Sequence, residues 1–361
     1  MVWIQGIVFS QTRGRLQLRT GKEIFEAGCA ACHGHDGKGM PQTTVGFERP
    51  STFPDFTDCK STSREADAFW SAIIHDGGPA RGFSPIMPSF REALNDDQIN
   101  QVIRYLRGFC TQDSWPAGEL NLPRLLVTEK AFPEDEWVLS TSVNAVGNPG
   151  LTSTFVYEKR FGARNQIEIQ APFTFERPAP GTWYGGAGDM SLGLKRVLAS
   201  SKRTGSVLSL FGEANFPTGN KARGLGTGTT VFEAFAAYGQ LLPNNSFLQF
   251  QGGMELPTKT NTTPRAVFWR TGAGTTVTQN NGLGRAWSPM MEVLADRELA
   301  TGRKVNWDIL PQLQVTLSKR QHIRANIGVQ IPVSNTAGRP TAVLFYLLWD
   351  FFDGGLLDGW K

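Results

Sequence analysis

Five consecutive residues, Cys29-Ala30-Ala31-Cys32-His33, carry the most specific chemistry in this chain. Two thiols at this spacing add across the two vinyl groups of one haem, and the histidine that follows stands beneath the iron as an axial ligand. A zinc site needs a second Cys or His pair, and a thioredoxin-type C-x-x-C needs a βαβ setting; neither accompanies this run. One C-x-x-C-H run predicts one covalently bound haem c on Cys29, Cys32 and His33. The second axial ligand is expected at Met87, in the stretch Ser84-Pro85-Ile86-Met87-Pro88-Ser89-Phe90. Flanking prolines stiffen that loop and present a soft thioether. Met40 and His75 are the alternatives. Ligation by His33 and Met87 fills both axial positions and leaves no open site for oxygen, peroxide or substrate. That is the chemistry of an electron carrier rather than a catalyst, with a potential raised by the thioether.

These residues need elements to place them. Thr20 with Glu23 forms a capping box and predicts a helix over 20–31, with Ile24, Phe25 and the two cysteines on nearby faces. The turn-rich Gly34 to Gly39 must leave that helix and wrap the haem edge. A second helix is predicted over 64–75, capped by Ser63, with Phe69, Trp70, Ile73 and Ile74 as its stripe. Asn95 opens a last helix, boxed by Gln98, that buries Ile99, Val102, Ile103, Leu106 and Phe109.

Residues 19–112 thus resemble a class I cytochrome c, a small all-α domain with the haem motif near its start and a Met ligand in a Pro loop. The resemblance implies that Gly21 and Phe25 on the first helix are crossed closely by Tyr105 on the last. It also implies a proline carbonyl, from Pro41 or Pro50, that orients His33. Arg81 and Trp70 are candidate partners of the haem propionates. Covalent haem attachment places the domain in an extracytoplasmic, oxidising compartment of a bacterium. There the two remaining cysteines, Cys59 and Cys110, are expected to form a disulfide.

The rest of the 361-residue chain reads differently. A formal charge of +4 gives no argument for a nucleic-acid partner, and no apolar run is long enough for a transmembrane helix. Residues 1–18 are a tail or a truncated signal peptide, with Val8 and Ser10 at a small-residue cleavage pattern. Residues 113–135, with Pro116, Pro123 and Pro133, read as a semi-stiff extended connector. From 136 to 361 the hydrophobic period becomes two. Trp307, Ile309, Pro311, Leu313 and Val315 share one face, while Asp308, Gln312 and Gln314 share the other. About a dozen segments of ~10 residues repeat this pattern, the length of a membrane-spanning strand. They begin near 137, 151, 166, 189, 206, 229, 246, 265, 286, 305, 322 and 341. Short turns such as 147–150 alternate with longer stretches such as 218–228 and 272–284. Trp137, Trp183, Tyr184, Trp269, Trp287, Trp307 and Trp349 fall near segment ends, where interface girdles stand. Glu158, Glu168, Glu213, Glu255, Glu292, Asp308 and Arg324 mark the polar face.

The second domain is therefore expected to be an antiparallel all-β, up-and-down β-barrel of about 12 strands with a polar lumen. A soluble β-sandwich is the alternative. The layout is similar to the fused cytochrome–porins, which include outer-membrane iron oxidases. That resemblance implies a monohaem cytochrome held at the bacterial outer membrane, with its haem domain in the periplasm and a redox partner protein or external donor or acceptor. A transport or structural barrel with an accessory cytochrome, and a periplasmic redox enzyme with a soluble β domain, are the competing readings.

Overall fold

A computed structural model describes residues 18–177, 181–279 and 284–351. The cleavage pattern in the first 17 residues and the tail from Asp353 lie outside them. The first domain is helical: α1 (Gly21–Gly28), α2 (Ala30–His33), α3 (Cys59–Thr62), α4 (Asp67–Asp76) and α5 (Asp96–Arg107). Both capping boxes are present, Thr20 with Glu23 and Asn95 with Gln98. The crossing of α1 and α5 is set by a glycine. A Cβ on Gly21 would lie 2.0 Å from the Gln101 carbonyl oxygen, so only a bare backbone can pass there. Phe25 packs on Tyr105 with ring centroids 5.4 Å apart, beside the buried Ile24, Ile99, Val102, Ile103 and Leu106.

The helix expected over 64–75 starts later. Asp67 is its first residue, and Ser63 instead ends α3. The carbonyls of Thr62 and Glu65 accept from Arg107 of α5, and the Arg64–Glu65 backbone presses against Gly118. Those long-range contacts hold residues 63–66 out of a helix.

The second domain is a closed antiparallel barrel. Its strands are β1 (Glu136–Asn144), β2 (Gly150–Phe161), β3 (Asn165–Glu176), β5 (Met190–Ser201), β6 (Ser206–Phe216), β7 (Val231–Leu241), β8 (Ser246–Pro257), β9 (Ala266–Thr275), β11 (Ala286–Glu298), β12 (Asn306–Thr316), β13 (Ile323–Pro332) and β14 (Ala342–Asp350). Two short strands, β4 (Tyr184–Ala187) and β10 (Val277–Thr278), pair outside this ring. Closure comes from β1 on β14, with Trp137 opposite Trp349, and β9 on β11. No described helix is long and apolar enough to cross a membrane.

The polarity of this barrel is inside-out. Adjacent residues on β5 show it: Leu194 is 56% exposed and Lys195 is 2% exposed. Phe155, Ile169, Leu210, Phe232, Leu313 and Ile327 are likewise exposed on the outer face. Glu158, Glu168, Glu292 and Asp308 point inward and are buried. So large an apolar outer band is unfavourable in water, and a sandwich that buries its apolar face would show the reverse. This is the arrangement of an outer-membrane-type barrel. Its two ends differ. The turns 162–164, 202–205, 242–245 and 317–322 are short and share the end where β1 begins and β14 stops. Longer connections, 217–230 and 333–341 among them, lie at the other end. The stretch 272–284 is not a loop of that second kind. Gly272 and Gly274 belong to β9, and Val277–Thr278 form β10, paired with β11.

Residues 120–135 do more than connect. They fold inside the barrel and touch strands on every side of it. Glu292 of β11 accepts from the backbone N–H groups of Leu126 (3.0 Å), Val127 (3.1 Å) and Thr128 (2.7 Å). Gln249 of β8 donates to the Pro123 carbonyl, and Gln166 of β3 accepts from the Glu134 N–H. Ser209 of β6 donates to the Ala131 carbonyl. Arg124 pairs with Glu136 of β1 and Glu158 of β2. Three lumen glycines make room for its leucines: a Cβ would meet Leu122 at Gly239 (3.1 Å), Leu125 at Gly272 (2.2 Å) and Leu126 at Gly328 (2.6 Å). The backbone groups named here are thus met by strand side chains, while Lys130 bonds within the segment to Asn121 and Glu134.

Candidate haem site

The break between α1 and α2 falls at Cys29, and the two thiols remain unpaired with each other. After His33 the chain reverses through Gly34, Gly37 and Gly39, all at left-handed φ (72°, 76° and 85°). The Gly39 N–H donates to the His33 carbonyl (2.7 Å), and the Met40 N–H to the Cys32 carbonyl (2.9 Å), which fixes the turn on the motif.

Cys29, Cys32, His33 and Met87 line one cavity of about 500 Å³, within the range of cofactor pockets. Its walls are mainly apolar and aromatic: Phe25, Phe53, Phe56, Phe69, Trp70 and Ile74. Met40 and His75, the alternative ligands, do not line it; His75 Nδ1 instead lies 3.0 Å from Asp76 Oδ1 at the end of α4. The His33 ring stacks on Phe53 (5.1 Å between centroids) and tilts against Phe56. Burial, with Arg49 nearby, pushes the His33 imidazole down to about 4. At neutral pH it is therefore uncharged with a lone pair available. Its Nδ1 is buried without a hydrogen-bond partner. The expected proline carbonyl does not serve it: that of Pro41 accepts from Thr44 and that of Pro50 from the Phe53 N–H.

Met87 is placed by glycines that the spacing alone does not reveal. Gly77 has φ +84°, and a Cβ on Gly78 would lie 2.1 Å from the Ser84 carbonyl oxygen. The Gly78 N–H donates to the Met87 carbonyl (3.0 Å) and closes the loop. Arg81 and Trp70 both reach the cavity, and Arg107 stacks on the Trp70 ring at 3.8 Å. A disulfide joins Cys59 to Cys110 across 51 residues, with Cα atoms 5.1 Å apart.

An apolar cavity with two free thiols at its wall, a neutral imidazole and a thioether fits a covalently attached haem. The family model described as Cytochrome c matches residues 18–109. Residues 18–109 are a cytochrome c domain. No curated protein matches the chain. Solved structures similar to it cover its barrel. The NanC porin is 6% identical with a TM-score of 0.42, over 60% of this chain and 98% of that one. An outer membrane channel from Pseudomonas putida F1 is 13% identical (TM-score 0.40; 60% and 93%), and the KdgM porin 6% identical (TM-score 0.39; 60% and 99%). The barrel itself rests on its own strand pairing and inverted polarity. The cytochrome c domain implies covalently bound haem c, and a cytochrome c domain ahead of an outer-membrane-type barrel is the fused layout.

Proposed function

We propose that the chain is an electron carrier of the bacterial envelope: one haem c on a cytochrome domain, anchored by a barrel in the outer membrane. The observation that carries this reading is the convergence of Cys29, Cys32, His33 and Met87 on a single apolar cavity. Cys29 and Cys32 would hold the group by thioether bonds, and His33 and Met87 would be its two axial ligands. When bound, the haem supplies a one-electron couple. This chain's residues exclude water, keep the imidazole neutral and fill both axial positions. A site so filled favours electron exchange with a redox partner over catalysis on a bound substrate.

The apolar outer face supports anchoring in lipid over a soluble β domain. The plugged lumen favours an anchor over a transport channel, because residues 120–135 cross it and bond to strands around it, leaving a polar cavity of about 480 Å³ beside them. The haem domain packs at the short-turn end, where Lys202 of the β5–β6 turn pairs with Asp67 (2.7 Å). Outer-membrane barrels keep short turns in the periplasm, so the haem domain is assigned to that side.

Fractionation with haem staining tests this reading. Haem covalently bound to a protein of the outer-membrane fraction, and lost in Cys29→Ala/Cys32→Ala, is the expected result. Recovery in the soluble periplasm, or a chain without covalent haem, would overturn it.

A further inference from the structure

The haem cavity is not walled by the cytochrome domain alone. Arg320 and His322, from the turn between β12 and β13, line it together with Arg81 and Phe83. The two loops interlock in both directions. Arg81 donates to the Lys319 carbonyl (3.5 Å), and Arg320 donates to the Gly82 carbonyl (3.4 Å). The Arg320 guanidinium lies over the Phe83 ring at 4.2 Å, and His322 Nε2 is 3.2 Å from Glu65 Oε1. Arg81 and Arg320 are 3% and 4% exposed. Both guanidinium groups line the cavity, with the Glu65 carboxylate beside them, and a haem held there would add its two propionate carboxylates to the same wall.

We infer that the barrel completes the haem site: Arg320, from a barrel turn, supplies positive charge to the propionate side of the haem and raises its reduction potential. This rests on the haem reading above. The sign follows from Coulomb's law. A nearby cation disfavours the ferric charge more than the ferrous, so deleting it lowers the potential. The haem then has its working potential only when the barrel has closed and brought the β12–β13 turn to the cytochrome domain. Anchoring and redox tuning become one structural event.

The test uses the full-length protein in detergent micelles, titrated spectroelectrochemically, with covalent haem content measured beside it. Arg320→Gln is expected to shift the oxidised-to-reduced ratio at fixed potential several-fold towards oxidised; a tenfold shift corresponds to ~59 mV for one electron. Arg320→Lys should titrate as wild type. Arg320→Met keeps a stem over Phe83 and deletes only the charge, so it decides the matter if the Gln variant does not assemble. Haem content should be unchanged in all of them. Midpoints that coincide across wild type, Lys and the neutral variant would overturn the inference. Absence of covalent haem in the wild type would instead be a failure of the haem reading, and is seen separately.

Discussion

Met87 depends on two residues with no side chain. With Gly78 pressed to 2.1 Å from the Ser84 carbonyl oxygen, a methyl there must move the loop. Gly78→Ala is expected to keep covalent haem but weaken or lose the thioether ligand, read as loss of the sulfur-to-iron charge-transfer band. Retention of that band would show that the loop tolerates the shift. The disulfide acts through the unfolded chain. Closing a 51-residue separation restricts that ensemble by about 4 kcal/mol, so Cys59→Ser/Cys110→Ser should lower unfolding free energy by roughly 2–4 kcal/mol. Chemical denaturation checks it, and an unchanged midpoint would contradict it. The grouping of Cys29, Cys32, His33 and Met87 on one cavity was legible in the sequence because each sits in a fixed local pattern. Gly77–Gly78 and the carbonyls taken by Arg107 were not, since their partners are set by the tertiary fold.

The strands show why elements were easier to read than residues. A strand between lipid and a polar lumen must alternate at every step, so the segment starts read from periodicity fall within two residues of the barrel strands. The lumen segment escaped the same reading. Its leucines rest on Gly239, Gly272 and Gly328, glycines on three separate strands, and nothing near 120–135 in the sequence announces them. Its prolines are those of a spacer, and only the assembled barrel gives its backbone partners. Glu292 is the anchor, with three successive N–H groups on one carboxylate. Glu292→Ala leaves those donors unsatisfied, at about 1–3 kcal/mol for a buried group. In planar bilayers the wild type should be closed and Glu292→Ala should show openings. Equal, open conductance in both would contradict a filled lumen.

At the scale of the molecule, the cytochrome domain is held on the barrel by ion pairs: Arg64 with Asp135, and Lys202 with Asp67 and with Glu119 (2.8 Å). Burial alone would raise the Asp67 carboxyl, but Lys202 and Arg107 hold it below its ordinary value. A depressed carboxylate contributes stability above its unfolded pKa of about 4, and loses it as pH falls through the lower folded value. Docking should therefore weaken on acidification below about pH 4, and Asp67→Asn should show the weakened state already at neutral pH. Protease sensitivity of the segment 111–119 reports it; identical cleavage at pH 7 and pH 3 would contradict the assignment. Neither surface was visible in the sequence, because its halves lie far apart along the chain.

The proposed haem is six-coordinate, held between His33 and Met87 on a membrane-anchored domain. Carbon monoxide added to the reduced full-length protein probes that coordination. The wild type should show a low-spin spectrum that carbon monoxide leaves unchanged, while Met87→Ala should bind the gas at the vacated position. A wild-type protein that takes up carbon monoxide as readily as the variant would contradict Met87 as the ligand and reopen the site to catalysis.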